Sequence, residues 1–374
     1  MKRNSILISA AAALLVFLAG MSVIGGQGRT SLLKPEGSQA ESFGSSDPEA
    51  SVSRAAFLLN TFVTVTLYGT DDGSILDDSL ALCKEYENIF SRTLKTSELY
   101  QINHRDPEVT AMTVSDEMAR LLKKGLEYCE LSDGAFDITV EPLSSLWDFT
   151  GETHSVPEAA KIKEAAEKVD YQNLSLSGNT LTFLSPDTAI DLGAIAKGYA
   201  SDAVAAIYQE HGITHGIVDL GGNTWVCGGN LKGEPWRIGV QDPARAGEAE
   251  AYTGILRMAD GFAVTSGGYQ RYFEENGKTY HHIIDPATGH PAESGLTSVT
   301  VVADGTVGNG TMCDALSTAL FVMGEERALD FWHSGVYDFD LILVTEDGRL
   351  LVTDGIADRF QPDETAGYAY EVIS

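Results

Sequence analysis

Three short stretches of this chain carry residue types whose spacing could do chemistry. The first, Asp191-Leu192-Gly193-Ala194-Ile195-Ala196-Lys197-Gly198, passes from an extended segment straight into an alanine-rich helix. A glycine at such a junction lets backbone approach a ligand, and the free N–H groups of a helix start attract phosphate. Lys197, one turn in, adds a cation for the same anion, although glycine ahead of an alanine-rich helix can equally serve packing alone. The second is the pair Asp314 and Thr318, one helical turn apart and therefore on one face. A carboxylate and a hydroxyl or carbonyl oxygen at that spacing suit a hard cation such as Mg2+. The same spacing also fits an aspartate that caps a helix or salt-bridges a neighbour. The third is His281-His282-Ile283-Ile284-Asp285-Pro286, which runs out of a strand into a turn. His282 and Asp285 are candidates for acid/base work or phosphate contact. Strand alternation puts the two histidines on opposite sides, so only one of them can serve a pocket. Gly221-Gly222 after one strand, and Gly267-Gly268 after Thr265-Ser266, allow backbone to approach something flat or charged. No glycine pattern of a dinucleotide-binding βαβ unit is present, nor a nucleophile elbow, a metalloprotease helix or a Walker loop.

These stretches need a framework, and the rest of the chain supplies it. Periodicity predicts a strand over residues 57–68, helices over 75–90 and 118–131, and a hairpin around Ser177-Gly178-Asn179. The alanine-rich helix follows over 195–208. Strands are then expected at 217–220, 236–240, 252–258, 262–265 and 298–302, with a tight hairpin at Asn276-Gly277. A last helix over 309–323 precedes a hairpin turning at Glu346-Asp347-Gly348. Helices and strands mix without regular βαβ alternation, which makes the class α+β. Charge narrows the partners: 54 acids against 25 bases give a net −29. Such a field repels nucleic acid, and it admits a phosphate only where a cation or fixed backbone donors answer it locally. Cys83, Cys129, Cys227 and Cys313 show no metal spacing. Isolated buried thiols are expected, with a Cys83–Cys129 pairing conceivable.

The N-terminus reads as an address. Lys2 and Arg3 precede an uncharged run over residues 6–24, long enough to span a bilayer, and the acid-rich remainder suits translocation. No cysteine precedes Cys83, which excludes a lipid-modified signal. Without a small-x-small site after the run, an uncleaved anchor is expected over a cleaved signal. The expected organisation is an anchor or signal over 1–26, a flexible linker over 27–54 and one folded domain over 55–374. That places the catalytic domain on the extracytoplasmic side of the cell membrane.

Taken together, the chemistry-bearing stretches resemble the ApbE family, the FAD:protein FMN transferases. The resemblance covers about residues 57–321 and rests on six motifs in the family's order. They are Gly134-Ala135-Phe136-Asp137, the 191–199 stretch ending in Tyr199, and Val218-Asp219-Leu220-Gly221-Gly222-Asn223. Thr265-Ser266-Gly267, the run from His282 through Asp285 to Gly289, and Asp314-Ala315-Leu316-Ser317-Thr318-Ala319 complete the set. The resemblance implies an α+β domain related to the T-fold, with FAD bound in a cleft. It implies Mg2+-dependent cleavage of the FAD diphosphate, joining of FMN by a phosphoester to a Thr or Ser of an acceptor flavoprotein, and release of AMP. Acceptors in the family are subunits of redox pumps and extracellular electron-transfer proteins. By motif position the carbonyl of Ala194 with Asp314 and Thr318 would hold the metal, while Leu59, Ala135, Phe136, Asp137, Lys197, Thr265, Ser266 and His282 would meet the cofactor. His282 or Asp285 would serve as base. Leu59-Asn60-Thr61 departs from the family's usual Met-Gly-Thr, and Thr93 stands where a tyrosine is common. Two other readings stay open: a FAD pyrophosphatase giving FMN and AMP, and a non-catalytic flavin-binding membrane module.

Overall fold

The computed structural model describes residues 22–23, 50–151 and 154–374. The strands are β1 (Ser22–Val23), β2 (Ser51–Leu58), β3 (Thr61–Tyr68), β4 (Ala111–Thr113), β5 (Leu174–Ser177), β6 (Thr180–Phe183), β7 (Gly216–Leu220), β8 (Asn223–Cys227) and β9 (Trp236–Gln241). They continue as β10 (Tyr252–Met258), β11 (Gly261–Gly267), β12 (Tyr272–Glu275), β13 (Lys278–His281), β14 (Leu296–Ala303), β15 (Asp340–Thr345), β16 (Arg349–Thr353), β17 (Phe360–Pro362) and β18 (Ala369–Ile373). The helices that matter for the site are α1 (Ser74–Phe90), α2 (Glu98–Asn103), α3 (Asp116–Leu131), α4 (Glu141–Trp147), α5 (Ala159–Ala166), α6 (Ala196–Glu210) and α7 (Asn309–His333).

A nine-stranded sheet in the order β18-β16-β15-β14-β11-β8-β7-β3-β2 forms the centre. Its neighbours pair antiparallel except β16 and β18. Side-chain alternation sorts its two faces. Val299 and Val301 of β14 and Leu341 and Leu343 of β15 enter one core with α1, α6 and α7. Val302, Ile342 and Val344, between and beside them, enter a second core with Trp236, Ile238, Val240 and Leu256 of the sheet β1-β9-β10-β17. Strands buried on both faces read as continuous apolar runs, which is why Leu341-Ile342-Leu343-Val344 shows no polar alternation. A third small core, built on Trp147, Ile162, Phe273 and Ile284, seats the β12–β13 hairpin against α4 and α5.

The α+β architecture expected from the sequence is the one observed, with three differences of detail. The single strand expected over 57–68 is two strands, because Leu59 and Asn60 take positive φ values of 51° and 58° and close a two-residue hairpin. Without a glycine, that turn hides inside a β-branched run. β2 begins at Ser51, so four residues assigned to the linker belong to the domain. The last helix stops where expected, before Gly324 (φ 79°, ψ 173°), and a second helical stretch then continues to His333. All four cysteines are buried free thiols, not paired. The anchor expected over 1–26 and the linker over 27–54 lie outside the described residues apart from 22–23 and 50–54. Among the described residues no helix is long and apolar enough to cross a membrane.

Candidate active site

The site forms where α6 and α7 cross on the helical face of the sheet. Two glycines set the approach: a Cβ on Gly198 would stand 2.2 Å from the Gly310 carbonyl oxygen and 2.7 Å from Asp314 Cβ. Neither helix start carries its own side-chain cap. Each is capped by the other helix instead. Asp202 of α6 accepts from the N–H groups of Gly308 (2.8 Å), Gly310 (2.9 Å) and Thr311 (2.8 Å), and from the Thr311 hydroxyl at 2.5 Å. Asp314 of α7 accepts from Gly198 N–H at 2.8 Å, the third residue of α6. An N-cap hydrogen bond contributes about 1 kcal/mol, so the exchange locks the register of the two helices.

Asp314 does more than cap. Its other oxygen accepts from Lys197 Nζ and from Asn223 Nδ2, both at 3.2 Å. Lys197 also donates to the Gly193 carbonyl at 3.1 Å, so the glycine loop and the α7 carboxylate lie one ammonium apart. Lys197 is the second residue of α6, closer to the helix start than the sequence reading put it. One turn along α7, Ser266 of β11 reaches the hydroxyls of Ser317 (2.8 Å) and Thr318 (3.1 Å). Thr265 points the other way and pairs with Thr300 at 2.8 Å. Asn223 is buried, and its Oδ1 has no partner among the described residues. An oxygen-only set of Asp314, Thr318, the Ala194 loop and this orphaned amide oxygen fits a hard cation. Among the described residues no three His, Cys, Asp or Glu side chains are grouped so as to hold a metal ion, so any such cation would depend on neutral oxygens for most of its shell.

The hairpin β12–β13 closes the other side. His282 N–H donates to the Arg271 carbonyl at 3.0 Å, extending the ladder one pair beyond Tyr272 and His281. Arg271 and His282 therefore share one face, and Tyr272 and His281 share the opposite one. His281 bonds the Ala292 carbonyl at 3.1 Å and borders a cavity of ≈ 850 Å³ that contains neither Lys197 nor Asp314. His282 faces the cations. Burial, then the charges of Arg271, His281 and Lys197, pulls its imidazole down to about 3, and its Nδ1 has no partner among the described residues. A neutral imidazole with a free nitrogen can accept a hydrogen bond there, while the cations around it oppose its protonation until an anion binds.

Of the remaining expected residues, Leu59 sits at the β2–β3 tip, its N–H held by Glu87 at 3.0 Å. Ala135 and Phe136 are buried in a loop that touches the glycine stretch through the Asp191 N–H to Ile138 carbonyl bond of 2.8 Å. Asp137 is turned into that loop, accepting from Thr139 N–H (2.7 Å), the Thr139 hydroxyl (2.6 Å) and Tyr171 N–H (3.0 Å). Asp285 likewise binds its own turn, through Ala287 N–H at 2.9 Å. No hydrogen bond joins either to the cation cluster. Sequence reasoning missed Asp202, Arg92 and Arg271, and it gave no role to Asn223 although that residue closes the 218–223 motif. Arg92 pairs with Asp191 at 3.1 Å beside the glycine loop. Asp202 alone had a local signal, six residues past an uncapped helix start; the two arginines are placed by tertiary structure.

Residues 59–341 match the model of the ApbE family, and the chain belongs to that family and is a transferase. It is 34% identical over 293 residues to the FAD:protein FMN transferase of Haemophilus influenzae, covering 74% of this chain and 83% of that protein. The crystal structure of the ApbE protein of Thermotoga maritima superposes with a TM-score of 0.71 at 34% identity, over 84% of this chain and 98% of that one. The apo flavinyl transferase ApbE of Pseudomonas stutzeri gives 0.71 at 28% identity, over 83% and 97%.

Proposed function

We propose that this transferase moves the FMN half of FAD onto a Thr or Ser hydroxyl of an acceptor flavoprotein, with Mg2+, and releases AMP. The observation that carries the reading is the grouping of Lys197 and the carboxylate Asp314 at the α6 start with His282, whose ring feels the charges of both Lys197 and Arg271. In a chain of net charge −29, that grouping answers a diphosphate where the rest of the surface repels one. Asp314, Thr318 and the Ala194 carbonyl would hold the Mg2+, which when bound neutralises charge on the phosphate oxygens and the leaving group. The bond formed joins the acceptor oxygen to the FMN phosphorus, and the bond broken is the diphosphate P–O to AMP. The acceptor hydroxyl gives up its proton, and His282 would take it once the bound diphosphate offsets the burial and cationic charges that hold its imidazole low in the empty site. Lys197 steadies the phosphates, while Leu59, the 135–137 loop and Ser266 line the approach. The acceptor is an FMN-carrying subunit of a redox pump or an extracellular electron-transfer protein, met at the outer face of the membrane to which residues 1–26 tether the enzyme.

The test is product analysis with FAD and Mg2+, with and without an acceptor protein. Transfer predicts AMP equal to the FMN found on the acceptor. Free FMN and AMP at the same rate without acceptor would make the enzyme a FAD pyrophosphatase, and no AMP at all would leave only binding.

A further inference from the structure

We infer that Arg271 is a further substrate-binding residue, which grips the diphosphate at the centre of the dinucleotide and carries its occupancy to the β2–β3 tip. This rests on the functional reading just given. The argument starts from an imbalance. Among the described residues no carboxylate oxygen lies within salt-bridge distance of the Arg271 guanidinium, whose one hydrogen bond runs from Nη2 to the Asn60 carbonyl at 2.8 Å. Asp191, the acid whose charge reaches it, is already committed to Arg92 at 3.1 Å and to Gly193 N–H at 2.9 Å. Burial and the neighbouring Arg92 charge disfavour the protonated form, yet a guanidinium stays charged.

A half-buried guanidinium with no carboxylate in contact is free to pair with an anion brought by a ligand. The guanidinium lies on the face of the hairpin that holds His282, whose ring also feels Lys197. Its planar fork can hold two oxygens at once, the geometry that a diphosphate presents and a single ammonium cannot match. The Asn60 bond gives the residue a second consequence. Leu59 and Asn60 both stand in the left-handed region, which is unfavourable for a leucine. Arg271 and Glu87 hold that turn from its two sides, so a diphosphate on Arg271 fixes the tip that carries Leu59.

The probes are inorganic pyrophosphate, FAD and riboflavin, with binding to the full chain measured by calorimetry for wild type, Arg271→Ala and Arg271→Lys. Arg271→Ala should weaken pyrophosphate and FAD about 10- to 100-fold and riboflavin, which has no phosphate and meets only the Leu59 tip, far less. Arg271→Lys should fall between, with KM for FAD raised more than kcat is lowered. Wild-type pyrophosphate affinity in either variant overturns the inference, and so does an equal loss for riboflavin, which would reduce Arg271 to a prop for the hairpin. If Arg271→Ala does not fold, the Arg271→Lys comparison decides alone. A wild type that binds pyrophosphate but not FAD would instead sink the functional reading, while the pyrophosphate contrast still judges Arg271.

Discussion

The starts of α6 and α7 are built alike and used differently. Each lacks a cap of its own and borrows an aspartate from the other helix. Asp202 is surrounded by three backbone N–H groups and a hydroxyl, all uncharged, and burial pushes its carboxyl up against their pull. Asp314 spends one oxygen on its cap and turns the other to Lys197 and Asn223. The helix crossing accounts for everything Asp202 does and for half of what Asp314 does. The unexplained half, a charged donor that a ligand can draw away and an amide oxygen with no partner, is where function shows.

The sharpest way to break this contrast is Asp314→Ala. Turnover should fall at least about 1,000-fold, because the only charged oxygen offered to the cation is gone, and this would be read by AMP release at saturating FAD and Mg2+. Near-normal activity would make the two aspartates alike after all. Asp202→Ala should show the opposite profile. Losing a buried cap of four hydrogen bonds should cost about 2 kcal/mol or more, read as a lower midpoint in denaturant, while the residual folded enzyme keeps most of its kcat.

The cation side can be sharpened by separating its two members. Lys197→Ala removes a charge that acts on bound and reacting FAD alike, so KM should rise about 10-fold with a smaller change in kcat. His282→Ala should do the reverse, with FAD still bound by flavin fluorescence; loss of binding at unchanged kcat would exchange the two roles. A smaller effect concerns pH. The His282 pKa is depressed to about 3 in the fold and is about 6.5 when unfolded. Between those values the unfolded chain binds a proton that the folded one does not, so His282 destabilises the fold progressively as pH drops below about 6.5. His282→Gln should flatten that part of the stability profile in ligand-free protein. A variant with an unchanged slope would mean that the ring is not buried among cations.

Much of this was legible before the fold was known. The glycine stretch, the Asp314–Thr318 face and the split between His281 and His282 follow from local periodicity, which survives folding because it depends on helix and strand geometry alone. The sequence left open whether Asp314 caps a neighbour or serves a cation. In the fold it caps α6 and pairs with Lys197, yet keeps the orphaned Asn223 oxygen beside it. What escaped is non-local. Arg271 meets Asn60 across 211 residues, and Asp202 meets Thr311 across 109. Neither separation carries a periodic signal. The 58–61 turn escaped for another reason: Leu59 adopts a conformation its type disfavours, held by Glu87 and Arg271 from outside the segment. Asp137 and Asp285 are singled out by their motifs, and in the fold Asp137 accepts from Thr139 and Tyr171 while Asp285 accepts from Ala287 N–H.

Asp314→Asn divides the two duties of that residue, since the amide can still accept from Gly198 N–H but has no charge to offer a cation. The measurement is Mn2+ binding by electron paramagnetic resonance, with FAD present, on wild type and Asp314→Asn matched for thermal midpoint. The account predicts equal folding, a bound Mn2+ in wild type, and at least about 10-fold weaker binding in the variant. Wild-type Mn2+ affinity in well-folded Asp314→Asn would contradict it and return Asp314 to the role of a helix cap.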